Sequence, residues 1–338
     1  MLRLQEFEYL RPARLDQAVE LLHGADGALP VAGGTDLVPN LKHRLFTPRR
    51  LVALKGVEEM CGVAYLSADG EPLADTRAGG ASELSIGACE SLAGVARHPL
   101  VNRHFPSLAA AAGLVAGPQI RNQGTLGGNL CLDTRCTYYN QTYFWRQALG
   151  FCLKKDGDVC HVTKVGKKCV AAHSADTPPV LITLRAVADL VSAGGERSVP
   201  VADFFVADGV WNSVRRPDEL VRRIRLPLPG PGFRAGYQKL RQRNSIDFPL
   251  LSIAVAVELG DDTQVRSIRV VVSGLGARPR LVSGLDKVVG GRLDEVIDQV
   301  AGIAHRQSRP LQNAIVDTEW RRAMVPVYVR RALRGIAA

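Results

Sequence analysis

The sequence lacks any segment that is long and apolar enough to enter or cross a membrane. Residues 1–28 carry charged side chains throughout and contain no apolar stretch typical of a secretory signal. The longest uncharged stretch, between Arg103 and Arg121, contains two prolines and favours a buried Ala-rich helix with its exit loop over a transmembrane span. We therefore expect a cytoplasmic protein without a membrane span.

The sequence also lacks the common nucleotide-binding and hydrolytic motifs. It contains no G-x-G-x-x-G fingerprint of a Rossmann fold and no Walker lysine loop. No H-E-x-x-H motif, no recognisable Ser-His-Asp arrangement and no paired carboxylates in a recognisable setting are present. We interpret His161 and His173 as structural residues. No catalytic residue is predicted, and substrate chemistry is expected on another chain.

A recognition motif for nucleic acid is missing as well, although the chain is basic. The net charge is +10, from 43 Lys and Arg against 33 Asp and Glu, and it is spread along the chain. Such a charge is compatible with nucleic acid, but also with an acidic partner protein or an anionic cofactor. We expect no nucleic acid partner.

What is present is enough chain for two domains. The 338 residues are 46% hydrophobic, and the Pro- and Gly-rich segment 226–232 is the best candidate for a linker. Hydrophobic periodicity predicts helices and strands on both sides of it. Helices are predicted at 15–22, 107–116, 293–305 and near the C-terminus, strands at 51–54, 84–88, Leu251–Leu259 and Ile268–Ser273, an exposed loop at 69–80, and regular structure again from Pro179 to Leu184.

Two glycine turns stand out, Gly33-Gly34-Thr35 and Gly127-Gly128-Asn129. Glycine lets a backbone come close to a ligand, and successive exposed amides make a concave anion site. Two such sites on separate loops can grip one pyrophosphate from both sides. Taken alone, each motif also fits an ordinary tight turn.

The residues around these turns carry a family resemblance. Ala-Gly-Gly-Thr-Asp-Leu at 32–37 and Arg-Asn-x-Gly-Thr-Leu-Gly-Gly-Asn at 121–129 are similar to the paired FAD motifs of the xanthine dehydrogenase and CO dehydrogenase flavoproteins. Ser-Ala-Asp-x-x-Pro at 174–179 and the segment from Tyr237 to Phe248 resemble later motifs of the same family. The resemblance implies an α+β fold, with a two-subdomain PCMH-type FAD-binding domain at 1–228 and a small C-terminal α/β domain at 233–338.

The same resemblance implies a set of FAD-binding residues. The aspartate of the third motif would lie near the flavin, and the lysine of the fourth would reach back to the cofactor. Asp176 fits a helix N-cap as well, and Lys239 fits a surface lysine. The implied residues are Pro30, Val31, Ala32, Gly33, Gly34, Thr35, Asp36, Leu37, Val115, Thr125, Leu126, Gly127, Gly128, Asn129, Asp176 and Lys239.

Cysteine is concentrated in one segment, with five of the seven residues between 131 and 169. Disulfides are unusual in a reducing compartment, so the cluster indicates metal binding or catalysis. Cys136, Cys152, Cys160 and Cys169 are separated by 15, 7 and 8 residues. This spacing lacks the close pairs of zinc fingers and the runs of ferredoxins. The residues alone leave an iron–sulfur cluster, zinc and free thiols open.

Asp-Thr-Arg-Cys-Thr at 133–137 and Phe-Cys-Leu-Lys at 151–154 carry a second resemblance. They are similar to an insertion that the 4-hydroxybenzoyl-CoA reductases have in the same place. In the insertion, at about 131–173, the resemblance implies Cys136, Cys152, Cys160 and Cys169 as ligands of a [4Fe-4S] cluster. Cys131 is expected to pack near the flavin, and Cys61 and Cys89 to be small buried residues. Aromatic side chains would shield the cluster. Its charge would be offset by Lys154, Lys155, Lys164, Lys167 and Lys168, which could also steer an acidic ferredoxin.

The resemblance thus implies an electron-transfer subunit of an oxidoreductase. Its partners would be a large molybdopterin-binding subunit, a small subunit with two [2Fe-2S] clusters and ferredoxin, in a heterohexamer of two three-chain units. Electrons would pass through the [4Fe-4S] cluster and FAD to molybdenum, where 4-hydroxybenzoyl-CoA becomes benzoyl-CoA. Two alternatives are an FAD subunit of a molybdenum hydroxylase with another aromatic or heteroaromatic substrate, and a non-catalytic module stabilised by zinc.

Overall fold

The computed structural model describes residues 2–23, 27–73 and 79–337, which form three β-sheets with helices packed around them. The first sheet is parallel, with strand order β1-β3-β2, and consists of β1 (Glu8–Leu10), β2 (Ala28–Val31) and β3 (Arg50–Ala53). Helices α1 (Leu15–Leu22) and α2 (Leu37–Lys42) lie in the crossovers that parallel strands need. The predicted helix at 15–22 is confirmed, because its apolar residues recur at helical spacing and are buried.

The second sheet is antiparallel and has five strands in the order β4-β5-β8-β6-β7. They are β4 (Val63–Leu66), β5 (Glu83–Gly87), β6 (Val187–Ser192), β7 (Gly195–Pro200) and β8 (Leu220–Pro227). The chain leaves the sheet after β5, at Gly87, and returns to it with β6, at Val187. The later strand β8 then pairs with both β5 and β6 and forms the centre of the sheet. Of the loop expected at 69–80, residues 74–78 lie outside the described residues.

The segment between β5 and β6 contains seven short helices. They are α3 (Leu92–Arg97), α4 (Pro99–His104), α5 (Pro106–Gly113), α6 (Pro118–Gln123), α7 (Leu126–Leu130), α8 (Tyr143–Leu149) and α9 (Thr177–Thr183). Three of them begin with proline, whose missing amide costs nothing in the first turn. The cysteine-rich segment contains only α8, and regular structure resumes at α9.

The third sheet is antiparallel, with the order β12-β11-β10-β9. Its strands are β9 (Phe233–Leu240), β10 (Leu251–Leu259), β11 (Val265–Ser273) and β12 (Arg280–Leu281). β10 matches its prediction, whereas β11 begins three residues earlier than predicted, at Val265. Alternate residues of β10 point to opposite faces of the sheet. Ile253, Val255 and Val257 belong to the core under the last two helices, and Ala254 belongs to the core of the first part of the chain.

Two longer helices, α10 (Leu293–Gln307) and α11 (Thr318–Ala337), cover one face of the third sheet. The predicted helix at 293–305 is confirmed and ends two residues later. α11 is the longest helix in the described part of the chain, but it carries several arginines. No helix among the described residues combines the length and the apolar character that a membrane crossing requires.

Candidate functional site

A cavity of about 700 Å³ lies where the two glycine turns meet. Its wall includes nearly all of the residues predicted to bind the flavin, and the cysteine-rich segment and the third sheet's β9–β10 loop contribute further residues. Leu126 is fully buried in the core, and Lys239 lies behind the wall rather than on it. The predicted residues on the wall are Pro30, Val31, Ala32, Gly33, Gly34, Thr35, Asp36, Leu37, Val115, Thr125, Gly127, Gly128, Asn129 and Asp176.

Glycine is required where the two turns touch each other and the sheet. A Cβ on Gly33 would lie 2.0 Å from the carbonyl oxygen of Gln123, which precedes the second turn. A Cβ on Gly127 would lie 2.7 Å from the Cβ of Ala88, at the end of β5. Both contacts are shorter than any real side chain tolerates, so the missing side chains let three stretches of backbone converge at the cavity.

The two turns differ in what their amides do. The amides of Gly33, Gly34 and Thr35 have no acceptor in the part of the chain that the structure describes, and Gly34 has a φ of +68°. These three amides remain available to a ligand, as expected of a concave anion site.

The amides of the second turn are already bonded within the protein. Those of Leu126 and Gly127 donate to Glu90 and Ala88, and those of Gly128 and Asn129 donate to Thr125. The interpretation of two equivalent anion sites is therefore wrong for residues 126–129. Two of these amides hold the turn against the end of β5, and the other two cap the short helix α7. The turn contributes its shape and its position instead.

Asp176 and Lys239 form a buried ion pair at the base of the cavity. The Lys239 Nζ lies 2.9 Å from the Asp176 carboxylate and 3.0 Å from the carbonyl oxygen of Leu114, while the Tyr237 hydroxyl donates to the same carboxylate at 2.6 Å. Only 1% and 3% of the Lys239 and Asp176 side chains are exposed, so the alternative of a surface lysine is wrong. Asp176 stands at the N-cap of α9, but its side chain makes no capping bond.

Burial acts against both charges of this pair. It raises the pKa of the Asp176 carboxyl, with Lys239 and Tyr237 opposing the shift. It likewise lowers the pKa of the Lys239 ammonium, which Asp176 opposes. Each group therefore depends on the other to remain charged.

At the rim of the cavity the predicted residue Asp36 meets two residues that were not predicted as binding residues, Arg135 and Phe248. The Arg135 guanidinium forms an ion pair with Asp36 and stacks on the Phe248 ring, with 4.3 Å between its central carbon and the ring centroid. Arg135 belongs to the cysteine-rich segment, Asp36 to the first glycine turn and Phe248 to the β9–β10 loop. No spacing signal in the sequence links the three, since they are far apart along the chain.

Cys131 also lies on the cavity wall, near the second glycine turn. Its side chain is accessible to the cavity yet surrounded by protein, and this burial raises the pKa of its thiol, while Arg215 opposes the shift. It was expected to pack near the flavin site.

The four other cysteines of the segment influence one another electrostatically. Cys152, Cys160 and Cys169 are buried and Cys136 is half-buried. Burial raises the pKa of Cys136, the Tyr138 amide lowers it, and the Cys152 and Cys160 thiols raise it further. Burial raises the pKa of Cys169 to about 11, with the Ala171 amide and Lys154 opposing and Cys136 and Cys160 adding to it.

Cys160 differs from its neighbours. Burial raises the pKa of its thiol, but Thr163 and nearby backbone amides outweigh this effect and lower the pKa below its ordinary value. The Ala171 amide donates to the Cys169 sulfur at 3.4 Å, and amides directed at sulfur are a feature of iron–sulfur sites, where they tune the reduction potential. Among the described residues, however, no three His, Cys, Asp or Glu side chains converge closely enough to hold a single metal ion.

Several side chains of the segment do not lie where the sequence suggested. Lys154 is buried, with 4% of its side chain exposed, so it cannot belong to a docking surface. Phe144 and Trp145 on α8 are 66% and 43% exposed, so these two aromatics do not shield a buried cluster, although Tyr139 is buried. Cys89 is buried as expected, but Cys61 is exposed.

The two histidines of interest have protein partners. His173 is fully buried, its Nδ1 lies 2.9 Å from the Ser273 hydroxyl, and burial lowers its pKa to about 3. His161 contacts the carbonyl oxygen of Phe151. Neither histidine lines the cavity.

Comparison with known families covers nearly the whole chain. Residues 5–229 match the FAD binding domain in molybdopterin dehydrogenase, and residues 235–336 match the CO dehydrogenase flavoprotein C-terminal domain. The expected α+β fold with these two parts is therefore confirmed.

Individual relatives and a solved structure are similar over almost their full length. The chain is 30% identical to the aldehyde oxidoreductase FAD-binding subunit PaoB of Escherichia coli, covering 89% of this chain and 92% of the relative. It is 26% identical to the glyceraldehyde dehydrogenase medium chain of Sulfolobus acidocaldarius, covering 98% and 99%. The fold matches carbon monoxide dehydrogenase from Hydrogenophaga pseudoflava with a TM-score of 0.77, at 24% identity and covering 99% and 98%.

Proposed function

The chain belongs to the flavoprotein family of the molybdopterin dehydrogenases, and from this premise we propose how it takes part in electron transfer. It is the FAD-binding subunit of a molybdenum hydroxylase-type oxidoreductase. We propose that its FAD-binding domain spans 1–228, that the C-terminal domain spans 233–338, and that FAD occupies the cavity between the glycine turns. The unpaired amides of Gly33, Gly34 and Thr35 carry this proposal.

The residues present fit the cofactor. The three free amides would donate to the pyrophosphate oxygens, and the absence of a side chain at Gly33 lets that backbone approach. Leu126 and Lys239 do not line the cavity and would support the residues that do. Lys239 would hold the Asp176 carboxylate in place, so that its charge is directed at the cavity. FAD, when bound, supplies the capacity to accept and release electrons.

We propose that the chain works with a large molybdopterin-binding subunit and a small two-[2Fe-2S] subunit. Relatives bear the names of medium chains or FAD-binding subunits, which supports a place in a larger enzyme. A heterohexamer of two three-chain units is the assembly we expect. We propose that the substrate chemistry takes place on the large subunit.

Two substrate assignments follow from different observations. The similar proteins act, by their names, on aldehydes, carbon monoxide and nicotine, which favours the FAD subunit of a molybdenum hydroxylase or dehydrogenase with another substrate, such as an aromatic or heteroaromatic compound. The cysteine insertion favours the second assignment, a reductase that receives electrons from ferredoxin and dehydroxylates 4-hydroxybenzoyl-CoA to benzoyl-CoA. The comparisons fit the first assignment better.

The second assignment rests on a [4Fe-4S] cluster held by Cys136, Cys152, Cys160 and Cys169. The burial of Cys152, Cys160 and Cys169 and the hydrogen bond from the Ala171 amide to the Cys169 sulfur support it. The lack of three ligands around one point argues against a mononuclear zinc site in the described arrangement. In a cubane each thiolate binds a different iron, so its ligands stand further apart around the cluster.

An acidic ferredoxin would dock on the outer side of the insertion. Lys164, Lys167 and Lys168 are exposed there, whereas Lys154 is not. Exposed lysines steer an acidic partner and make its association rate depend on ionic strength.

Anaerobic purification with quantitation of iron, sulfide and flavin, followed by EPR after reduction, tests the cofactors. One FAD per chain with about four irons, the number in a [4Fe-4S] cluster, supports the reductase assignment. FAD without iron leaves the dehydrogenase or hydroxylase assignment, and absence of FAD contradicts both. Turnover of the assembled enzyme with 4-hydroxybenzoyl-CoA and reduced ferredoxin, compared with aldehydes, then identifies the substrate class.

A further inference from the structure

A single buried lysine lies between the flavin cavity and the cysteine-rich site. Lys154 lines the cavity, and only 4% of its side chain is exposed. Its Nζ lies 2.6 Å from the Asp133 carboxylate and 2.7 Å from the Gly209 carbonyl oxygen, and it contacts the Thr134 hydroxyl. The Thr134 carbonyl oxygen lies 3.4 Å away. An ammonium has three donors, so these acceptors satisfy it completely and fix its position.

The partners of Lys154 lie on two sides of it, one facing the cysteines and one facing the flavin cavity. Towards the cysteines, the Gly209 amide donates to the Cys169 carbonyl oxygen at 2.8 Å, and a Cβ on Gly209 would lie 2.9 Å from the Cys169 sulfur. Gly209 thus places the Lys154 ammonium close to the sulfur of a proposed ligand.

Towards the flavin, the lysine and its carboxylate partner face the cavity together. Asp133 lines the cavity and accepts a hydrogen bond of 2.9 Å from the Tyr139 hydroxyl, while the Lys154 Nζ lies 4.4 Å from the Tyr139 ring centroid. This one ammonium thus lies in the walls of both sites.

We propose that Lys154 is a positioning residue shared by the two redox sites, which fixes the wall between them and makes both centres easier to reduce. This inference rests on the proposed function. A buried positive charge stabilises an added electron more strongly than an exposed one, because less water screens it. The exposed lysines of the insertion carry the same charge, but solvent surrounds them.

Potentiometric titration of the anaerobically purified protein tests this role, with the flavin followed by absorbance and the cluster by EPR. In Lys154→Met both midpoint potentials should fall, whereas the exposed control Lys167→Met should leave both unchanged. Asp133→Asn leaves the lysine without its counter-charge and should raise both potentials. This second variant tests the sign of the effect even if Lys154→Met does not fold.

The outcomes separate this role from the proposed function. Unchanged potentials in Lys154→Met, a shift at only one centre, or an equal shift in Lys167→Met would overturn the shared role. A wild-type protein without iron would defeat the cluster assignment itself, and an unchanged flavin potential in Lys154→Met would then overturn the role of the lysine as well.

Discussion

The ammonium of Lys239 lies 2.9 Å from the carboxylate of Asp176, and both side chains are almost completely buried. The two residues come from different domains, Asp176 from the N-cap of α9 and Lys239 from β9. Tyr237 reaches the same carboxylate from the same face of β9, because alternate residues of a strand point the same way. The pair thus joins the third sheet to the base of the flavin cavity.

Removal of the lysine should destabilise the protein. In Lys239→Met the buried Asp176 carboxylate loses its counter-charge, and breaking such a pair costs about 3–5 kcal/mol. We expect a lower free energy of unfolding in urea and reduced FAD content in the purified protein. The exposed Lys287→Met is the matched control, and adding Asp176→Asn to Lys239→Met should recover part of the loss. A free energy of unfolding equal to that of the control would show that the pair contributes little.

A methyl group at Gly33 should prevent FAD binding. Its Cβ would meet the Gln123 carbonyl oxygen at 2.0 Å, so the two turns must move apart. Overpacking of this kind costs about 1–3 kcal/mol. The flavin absorbance per chain of Gly33→Ala should fall well below that of Gly79→Ala, where a Cβ would meet nothing within 4 Å. Full flavin occupancy in Gly33→Ala would contradict the proposed approach of backbone to pyrophosphate.

Loss of a ligand thiolate should remove iron but not flavin. We expect Cys136→Ser and Cys160→Ser to lose most of their iron and the EPR signal, and to lose ferredoxin-driven reduction, while FAD content stays the same. The exposed Cys61→Ser, outside the insertion, serves as control. Ferredoxin-driven turnover that persists in a cluster-free variant would refute electron entry through the insertion.

His173 should make stability depend on pH in mildly acidic solution. Burial lowers its pKa from 6.5 to about 3, so below pH 6.5 the unfolded chain takes up a proton that the folded chain refuses. The contribution of His173 to the free energy of unfolding is complete above the pKa that it has in the unfolded chain. It is lost by about 1.4 kcal/mol per pH unit as the pH falls towards the pKa of the folded chain.

Urea unfolding at several values between about pH 5 and pH 7 measures this slope. The slope of the free energy of unfolding against pH counts the protons taken up on unfolding. In His173→Gln this number should be smaller than in the wild type by about one, whereas the exposed His23→Gln should not differ from the wild type. Parallel pH profiles for His173→Gln and the wild type would show that His173 is not the group responsible.

The local elements followed from periodicity and from residue type. The helix at 15–22 and the strand at 251–259 were predictable because burial on one face or on both imposes a repeat that a single chain displays. Gly33 and Gly127 were recognisable because only glycine allows such close contacts. The grouping of Cys136, Cys152, Cys160 and Cys169 was likewise visible as composition.

The sequence by itself therefore determined the helix at 15–22, the strand at 251–259, the glycine turns and the cysteine-rich insertion. Tertiary structure alone decided which amides remain free, since the donors at 126–129 are taken by Glu90, Ala88 and Thr125 after folding. It also buried Lys154 and Lys239 and exposed Phe144. A lysine's burial and partners depend on residues distant along the chain, such as Gly209 for Lys154 and Asp176 for Lys239, and no local pattern encodes such pairings.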